Sequence, residues 1–497
     1  MKFRFWLEWA IAYAVCFVLC YYFQFQSPYI PETDGYFHIK VAALMRQQHG
    51  LFTHGFPWAA FSMWKDSYSD GCLLYHLFLM PFTYGDLAAG LKFATVLLSA
   101  FAFSSFFMIL TLNQVRYRFF WFWILLLGGE FFWWRLMAPR PQVMSVSFLI
   151  WGLHFVLNGK KRPFMALMFF YPLAYVAAFL PLVFAFIRWA YLALFEKRRE
   201  ESLLLGGLAA YALGMLVHPY FPKNLLFFYV QNLWVMYFAV TQEVNLYLGM
   251  EFFPMDTRRV FFPHLPLILL LTSAAFVFIH RRVTLSERTR VIFPCFVMLT
   301  FMTFISKRFT EYAVPTATLF CALVFTDLVR GDSFTAWVRR YRAPAKVLTV
   351  VAVAFLSVWT YRWHMVVLND FRTLPPPRFE QLAQVLAQKA PAGETIFSCD
   401  WDEAPLLLFY NDQHRYLVMM DPTFMYYWNP AIWRSWFETS NLRLAPDEAM
   451  HVLTDRFHSR FGLCGNKFQA FHQWVRNDSR FKVLQENNEG FAFEIVL

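Results

Sequence analysis

The sequence predicts a polytopic α-helical membrane protein of about 11 spans that ends in a small α/β domain on the extracytoplasmic side. Three observations predict it. The 497 residues are 59% hydrophobic and only 15% charged, against roughly 45–50% apolar and about 25% charged in soluble domains. Apolar runs long enough to cross a hydrocarbon core recur along the first 366 residues. Beyond residue 366 the charge balance inverts: 12 basic and 16 acidic side chains give −4, whereas residues 1–366 carry +15.

The spans are expected near 6–25, 92–112, 119–135, 142–158, 203–217, 264–280, 291–306, 312–329 and 346–364. Lys2 and Arg4 precede the first run as in a signal peptide, but the run is long and has no small-residue cleavage site, so it reads as a retained helix. Residues 164–195 form a longer run interrupted by Pro172 and Pro181. Basic clusters flank it, Lys160 to Arg162 and Lys197 to Arg199, and both belong in the cytoplasm by the positive-inside rule. An even number of crossings must lie between them, so this run is expected to split into a hairpin of two short helices.

With the amino terminus inside, the cytoplasmic segments collect 19 of the 32 basic residues of the membrane part, among them Arg116, Arg118, Arg281, Arg282, Arg288, Arg290, Arg330, Arg339, Arg340 and Arg342. Three segments then lie outside: loops 27–91 and 218–263, and the tail from about 367. Residues 223–240 are apolar enough to span, but a crossing there would reverse the segment 281–290, so they read as an interfacial or re-entrant helix. The basic excess orients helices; no nucleic-acid module accompanies it.

Leu374 and the prolines 375–377 mark the start of the tail, because consecutive prolines cannot continue a helix. The domains are therefore drawn as 1–366 and 367–497. In the tail the pattern predicts helices near 378–389, 430–438, 446–457 and 467–476, and strands near 395–399, 415–420, 480–485 and 491–496. The seven cysteines show no metal-ligand spacing, so zinc held by cysteine is not expected. Cys399 and Cys464 are either a disulfide, on the oxidising side of a membrane, or two buried thiols.

Four groups of residues bear chemistry. Glu32-Thr-Asp34-Gly-Tyr-Phe-His38 directly follows the first span. Carboxylates on an outer loop can ligate a divalent cation or activate an acceptor; the plainer alternative is that Asp34 caps a helix beginning near Tyr36. Arg135-Leu-Met-Ala-Pro-Arg140 and Lys307-Arg308-Phe-Thr-Glu311 put cations at the outer ends of spans, against the positive-inside bias. An anionic phosphate suits such forked guanidinium groups, and an Arg308–Glu311 ion pair one turn apart is the plain alternative. The second outer loop offers Glu243 and Glu251 as further carboxylates. In the tail, Asp400, Trp401 and Asp402 follow an expected strand, a common position for a binding edge.

This pattern resembles the type C glycosyltransferases (the GT-C fold), membrane enzymes that transfer a sugar from a polyprenyl phosphate or diphosphate outside the cytoplasm. Their first outer loop carries an acidic motif just after the first helix, and Glu32 to His38 looks like the version found in oligosaccharyltransferase catalytic subunits. The resemblance implies Asp34 as catalytic acid with Glu32 beside it. It also implies Glu243 or Glu251 as the loop carboxylate that joins Asp34 in catalysis or in holding Mg or Mn, Thr241-Gln-Glu243 being a partial match to the family's Thr-Ile-x-Glu. Arg135, Arg140, Lys307, Arg308 and His38 are then expected at the lipid phosphate. The family's Trp-Trp-Asp-Tyr-Gly acceptor motif is missing, with Asp400, Trp401 and Asp402 as a distant analogue for acceptor binding.

The expected function is transfer of a sugar, with inversion, from a polyprenyl-linked donor to a protein, lipid or glycan acceptor in the bacterial inner membrane. A transporter or flippase of the same lipid-linked sugars is the alternative, and a non-enzymatic scaffold presenting the tail is a third. Transporters place charges at mid-membrane and show paired broken helices; here the charges gather at span ends.

Overall fold

Length and apolarity act first on the helices of the amino-terminal two-thirds. The computed structural model describes residues 2–279, 284–330 and 342–496, so Arg281, Arg282, Arg339 and Arg340 lie outside the described residues. Among the described residues, five helices are long and apolar enough to cross a membrane: Phe3–Gln24, Leu87–Leu112, Glu287–Ile305, Lys307–Arg330 and Val350–Arg372. Five shorter apolar helices accompany them, including Gln142–Leu157, Leu180–Phe195, Ser202–Val217 and Leu265–Phe276. Burial divides the long ones. Most of the apolar window of Lys307–Arg330 is inside the protein, 83%, against 17% for Phe3–Gln24 and 11% for Val350–Arg372. Helices that bury so little of an apolar surface need an apolar solvent around them, and lipid supplies it.

The chain divides into two compact units. The first comprises Met1–Pro28, Lys92–Val217 and Met250–Leu374; the second comprises Tyr29–Leu91, His218–Gly249 and Pro375–Leu497. The final division falls at the expected proline run. Both stretches that the sequence reads as outer loops, apart from the end of the second, belong to the same unit as the tail.

In the first unit, segments read as cytoplasmic meet at one end of the helices. Glu8 pairs with Arg118 at 2.6 Å, Glu287 pairs with Arg188 and with Arg198 (3.1 Å), and Arg290 pairs with Glu196 at 3.2 Å. Helix Glu287–Ile305 begins at that end and leads to Lys307 and Arg308 at the other. The run 164–195 forms two helices as expected, Lys161–Ala174 and Leu180–Phe195, although Pro172 is accommodated inside the first and the break falls at 175–179. The run 119–135 does not form one helix. It breaks into Arg118–Leu126 and Glu130–Met137 at the poor helix formers Gly128 and Gly129, and a side chain at Gly129 would overlap Pro263 and His264.

The second unit is built on a mixed sheet of order β2-β1-β3-β5-β4, with β1 Thr395–Ser398, β2 Arg415–Tyr416, β3 Phe461–Gly465, β4 Phe481–Glu486 and β5 Gly490–Ile495. β1 runs parallel to β2 and β3, and β5 is antiparallel to β3 and β4. Helices Glu380–Lys389 and Gln469–Asn477 bury their apolar stripes, Leu382, Ala383 and Leu386 on one and Phe471, Trp474 and Val475 on the other. Four elements differ from the sequence expectation. The central β3, Phe-Gly-Leu-Cys-Gly, is buried throughout and so lacks the alternation that marks a half-exposed strand. Helices Ala404–Tyr410 and Thr423–Trp428 are short, apolar and also without a polar face. The strand expected over 415–420 pairs only at Arg415 and Tyr416.

Residues of the first outer loop extend this sheet at its β2 edge. Tyr416 N donates to the Trp58 carbonyl at 2.8 Å, and Ala60 N and Phe61 N donate to the carbonyls of Tyr416 and Leu417 at 2.8 and 2.9 Å. The stretch read as a re-entrant helix is helical from Lys223 to Thr241, with a π turn at Val230–Trp234. Its rings pack within this unit: Phe227 and Phe238 lie 5.7 and 5.3 Å from Phe424 and Tyr426, and Trp234 lies 5.6 Å from Tyr427. Gly71 is required there, since a Cβ would meet the Phe227 ring at 2.1 Å. One face of this helix is thus buried against the tail's aromatics, while Leu225, Leu233 and Val240 on it remain exposed.

Candidate active site

The acidic motif enters helix Thr33–Gln47, which starts earlier than Tyr36. Glu32 occupies the residue before the first turn in an extended conformation, and no side chain caps the helix there. Asp34 therefore is not the cap. It lies inside the first turn, where the partial positive charge of the helix amino terminus favours a carboxylate. The helix is held by burial of almost every residue from Gly35 to Met45, by a 3.0 Å ion pair from Lys40 to Asp412, and by Thr33 Oγ1, which donates to Asp402 Oδ1 at 3.0 Å. These contacts join the motif to the tail.

The tail residues named with it are all engaged within the unit. Asp400 accepts from the Asp402 amide at 3.3 Å and pairs with Lys467, and Trp401 Nε1 donates to the Tyr247 carbonyl at 3.1 Å. Cys399 and Cys464 form a disulfide, with Cα atoms 5.0 Å apart, that links the end of β1 to β3. Glu243 is exposed and accepts from Tyr237 Oη at 2.5 Å. His38, one helical turn beyond Asp34, is buried with its Nδ1 2.9 Å from His76 Nε2.

The first unit assembles the expected cations. Arg140 Nη1 lies 3.1 Å from Glu251 Oε1, and Arg135 Nε lies 2.6 Å from Glu311 Oε2 in a buried pair. Arg308 does not pair with Glu311, the plain alternative offered by their spacing; its Nη2 donates to Tyr175 Oη at 2.9 Å, and its guanidinium covers the Phe252 ring at 4.5 Å. Ser306 Oγ and Lys307 N donate to the carbonyls of Glu251 and Phe253, which fixes the glutamate's loop against the cationic turn. Burial pushes the Glu251 carboxyl up, but Arg140, Arg308 and Arg135 overcome it and hold the group down to about 2. A carboxylate so stabilised is a weak proton acceptor, and the surrounding guanidinium charge repels a metal ion.

Sequence reasoning missed Tyr175, the Arg135–Glu311 pair and the residues around His38. The spacing Asp70-Gly-Cys72-Leu-Leu-Tyr-His76 was the available signal, because positions four apart at the start of a helix share a face.

The geometry can be set beside solved structures. The oligosaccharyltransferase AglB from Archaeoglobus fulgidus, in complex with an inhibitory peptide and a dolichol-phosphate, superposes with a TM-score of 0.66 at 11% identity, over 94% of this chain and 71% of that one. ArnT from Cupriavidus metallidurans bound to undecaprenyl phosphate gives 0.56 at 13% identity over 98% of both chains. No protein-family model and no curated protein sequence matches the chain. The fold is that of the GT-C membrane glycosyltransferases.

Proposed function

We propose that this chain is a membrane glycosyltransferase that moves a sugar from a polyprenyl phosphate or diphosphate to a protein, lipid or glycan acceptor on the extracytoplasmic face of a bacterial inner membrane. The observation that carries the reading is the cationic turn around Glu251 at the outer end of a GT-C helical unit. Arg140 and Arg308, with Arg135 and Lys307 near them, supply charge-assisted donors suited to a phosphate. An apolar pocket lined by Leu267, Ile268, Leu271, Phe296, Phe304 and Val314 opens between the helices that flank this turn. It offers an isoprenoid chain a dry place while its phosphate meets the arginines.

The acceptor nucleophile attacks the anomeric carbon opposite the carrier phosphate. The carbon–oxygen bond to phosphate breaks, and its electron pair leaves on the polyprenyl phosphate, where guanidinium groups stabilise the developing charge. Asp34 takes the acceptor's proton. The configuration inverts. Asp402 and Trp401, which hold the acidic motif and the second outer loop, place the acceptor beside Asp34. The eleven-span arrangement with a cytoplasmic amino terminus accords with the meeting of the basic segments at one end, and the Cys399–Cys464 disulfide accords with an oxidising compartment for the tail.

Asp34→Asn tests the reading, because it removes the base and keeps the size. Sugar transfer is expected to fall by ~10²-fold or more with donor binding intact. Transfer at the wild-type rate would remove Asp34 from catalysis. In the same assay Arg140→Ala and Arg308→Ala are expected to weaken donor binding by roughly 1.5–3 kcal/mol each, with partial rescue by Lys. Unchanged donor affinity in both would make these residues structural.

A further inference from the structure

His38 faces a set of donors in its own unit that sugar transfer does not use. Its Nδ1, His76 Nε2 and Cys72 Sγ all lie within 4.8 Å of one another. Two nitrogens and a sulfur suit a borderline-soft divalent ion of the zinc type, and do not suit magnesium or manganese, which prefer oxygen. Ligands on a tetrahedral zinc stand about 3.3 Å apart for two nitrogens and about 3.6 Å apart for nitrogen and sulfur, given bond lengths of roughly 2.0 and 2.3 Å. The separations here are 2.9 Å between the ring nitrogens and 4.0 Å from Cys72 Sγ to His76 Nε2, with the whole set inside 4.8 Å, so an ion would draw the Cys72 side chain toward Nε2 and part the two imidazoles.

A second observation concerns the other ring nitrogen of His76. Its Nδ1 lies 2.6 Å from Asp70 Oδ2, in a pair buried to 1% exposure on both sides. An accepting carboxylate there puts the proton on Nδ1 and leaves the Nε2 lone pair for His38, while Cys72 Sγ stands 4.0 Å from both ring nitrogens and donates to Asp70 Oδ1 at 3.4 Å. This is the carboxylate–histidine arrangement that orients metal-bound imidazoles. Asp70 is fixed in turn, since its Oδ1 accepts the Cys72 amide at 3.0 Å.

We infer that His38, Cys72 and His76 form a zinc-type metal site, with Asp70 orienting His76. The ion would tie helix Thr33–Gln47 to the turn 69–72 and helix Leu73–Leu79. It would do so one turn from Asp34, making it a structural clamp on the segment that bears the acidic motif. The site depends on these four side chains alone and stands or falls independently of sugar transfer.

The test uses the full-length protein in detergent, without a polyhistidine tag, loaded with cobalt(II) as probe. One equivalent per chain is expected, with a visible ligand-field band and a near-ultraviolet thiolate-to-cobalt charge-transfer band. Cys72→Ser should abolish the charge-transfer band and keep a weaker ligand-field band, while Asp70→Asn should weaken cobalt binding by roughly 10–100-fold. Bound ion should also raise the Tm of the wild-type chain and leave that of His38→Gln/Cys72→Ser unchanged. A folded wild-type chain that takes up no stoichiometric cobalt, or whose cobalt spectrum lacks the thiolate band, overturns the inference. The cluster is then a hydrogen-bonded chain from Asp70 through His76 to His38. The wild-type measurements decide the matter even where a variant fails to fold.

Discussion

Two glutamates, one in each unit, show how differently the same side chain behaves when its neighbours differ. Glu251 sits among Arg140, Arg308 and Arg135 and titrates far below the usual range, at about 2. Glu403 is fully enclosed beside β3, with Oε1 accepting the Gly465 amide at 3.0 Å; burial dominates, and its carboxyl is pushed up to about 8. Arg378 pulls it down too weakly to reverse the shift. Removal from water alone does not decide the charge of a carboxylate; a guanidinium close by does. The contrast separates two tasks: Glu251 is a permanent anion that organises a cationic turn, and Glu403 is a neutral group at pH 7 that fills space at the sheet.

The largest effect that tests the charge-paired side of this contrast comes from Glu311. It opposes Arg135 in a buried pair, so Glu311→Ala should destabilise the protein by about 3–5 kcal/mol in detergent unfolding. Replacing both residues with apolar side chains of similar size should recover most of that loss. A small effect of Glu311→Ala would mean that Arg135 is not governed by this pair.

Glu403→Gln probes the other side with the opposite sign. The folded group has a raised pKa, so its contribution to stability is complete below the unfolded value near 4.5 and is lost as pH rises toward about 8. The Gln variant does not titrate, and at pH 7 it should be more stable than wild type by on the order of 1–3 kcal/mol, with the gain vanishing near pH 4.5. A gain independent of pH would show that packing, and not protonation, is responsible.

Glu251→Gln should have the smallest effect on stability. Its pair with Arg140 keeps some contact with solvent, which screens it, so the loss should stay below the ~3 kcal/mol that the depressed pKa alone would give. With the folded pKa depressed, this contribution is present above the unfolded value near 4.5 and disappears only as pH falls toward about 2. The difference between variant and wild type should therefore be flat between pH 8 and pH 5. A difference that changes within that window would place the titration of Glu251 elsewhere and erase the contrast with Glu403.

Some of the candidate site was readable from residue order. Asp34, Arg140 and Arg308 stood out because charge at an apolar run's outer end needs a partner, and each is found at a helix start or turn. The partners themselves were not readable. Residue spacing offered Glu311 to Arg308, yet Glu311 meets Arg135, 176 positions away, and Arg308 meets Tyr175. The absence of Cys-to-Cys spacing turned attention from zinc, because the nitrogen donors that complete the cluster come from His38, on another helix, and from His76.

The sequence by itself determined the membrane class, the two helices within the run 164–195 and most tail elements, because the cost of moving a residue from water is a property of that residue and its near neighbours. Only the tertiary structure decided that residues 29–91 and 218–249 belong with the tail, that Phe461–Gly465 is the central strand, and which carboxylate answers which cation. Those outcomes depend on segments tens to hundreds of residues apart. Hydrogen bonds and ion pairs act over a few ångströms in space, and distance along the chain carries almost no record of them.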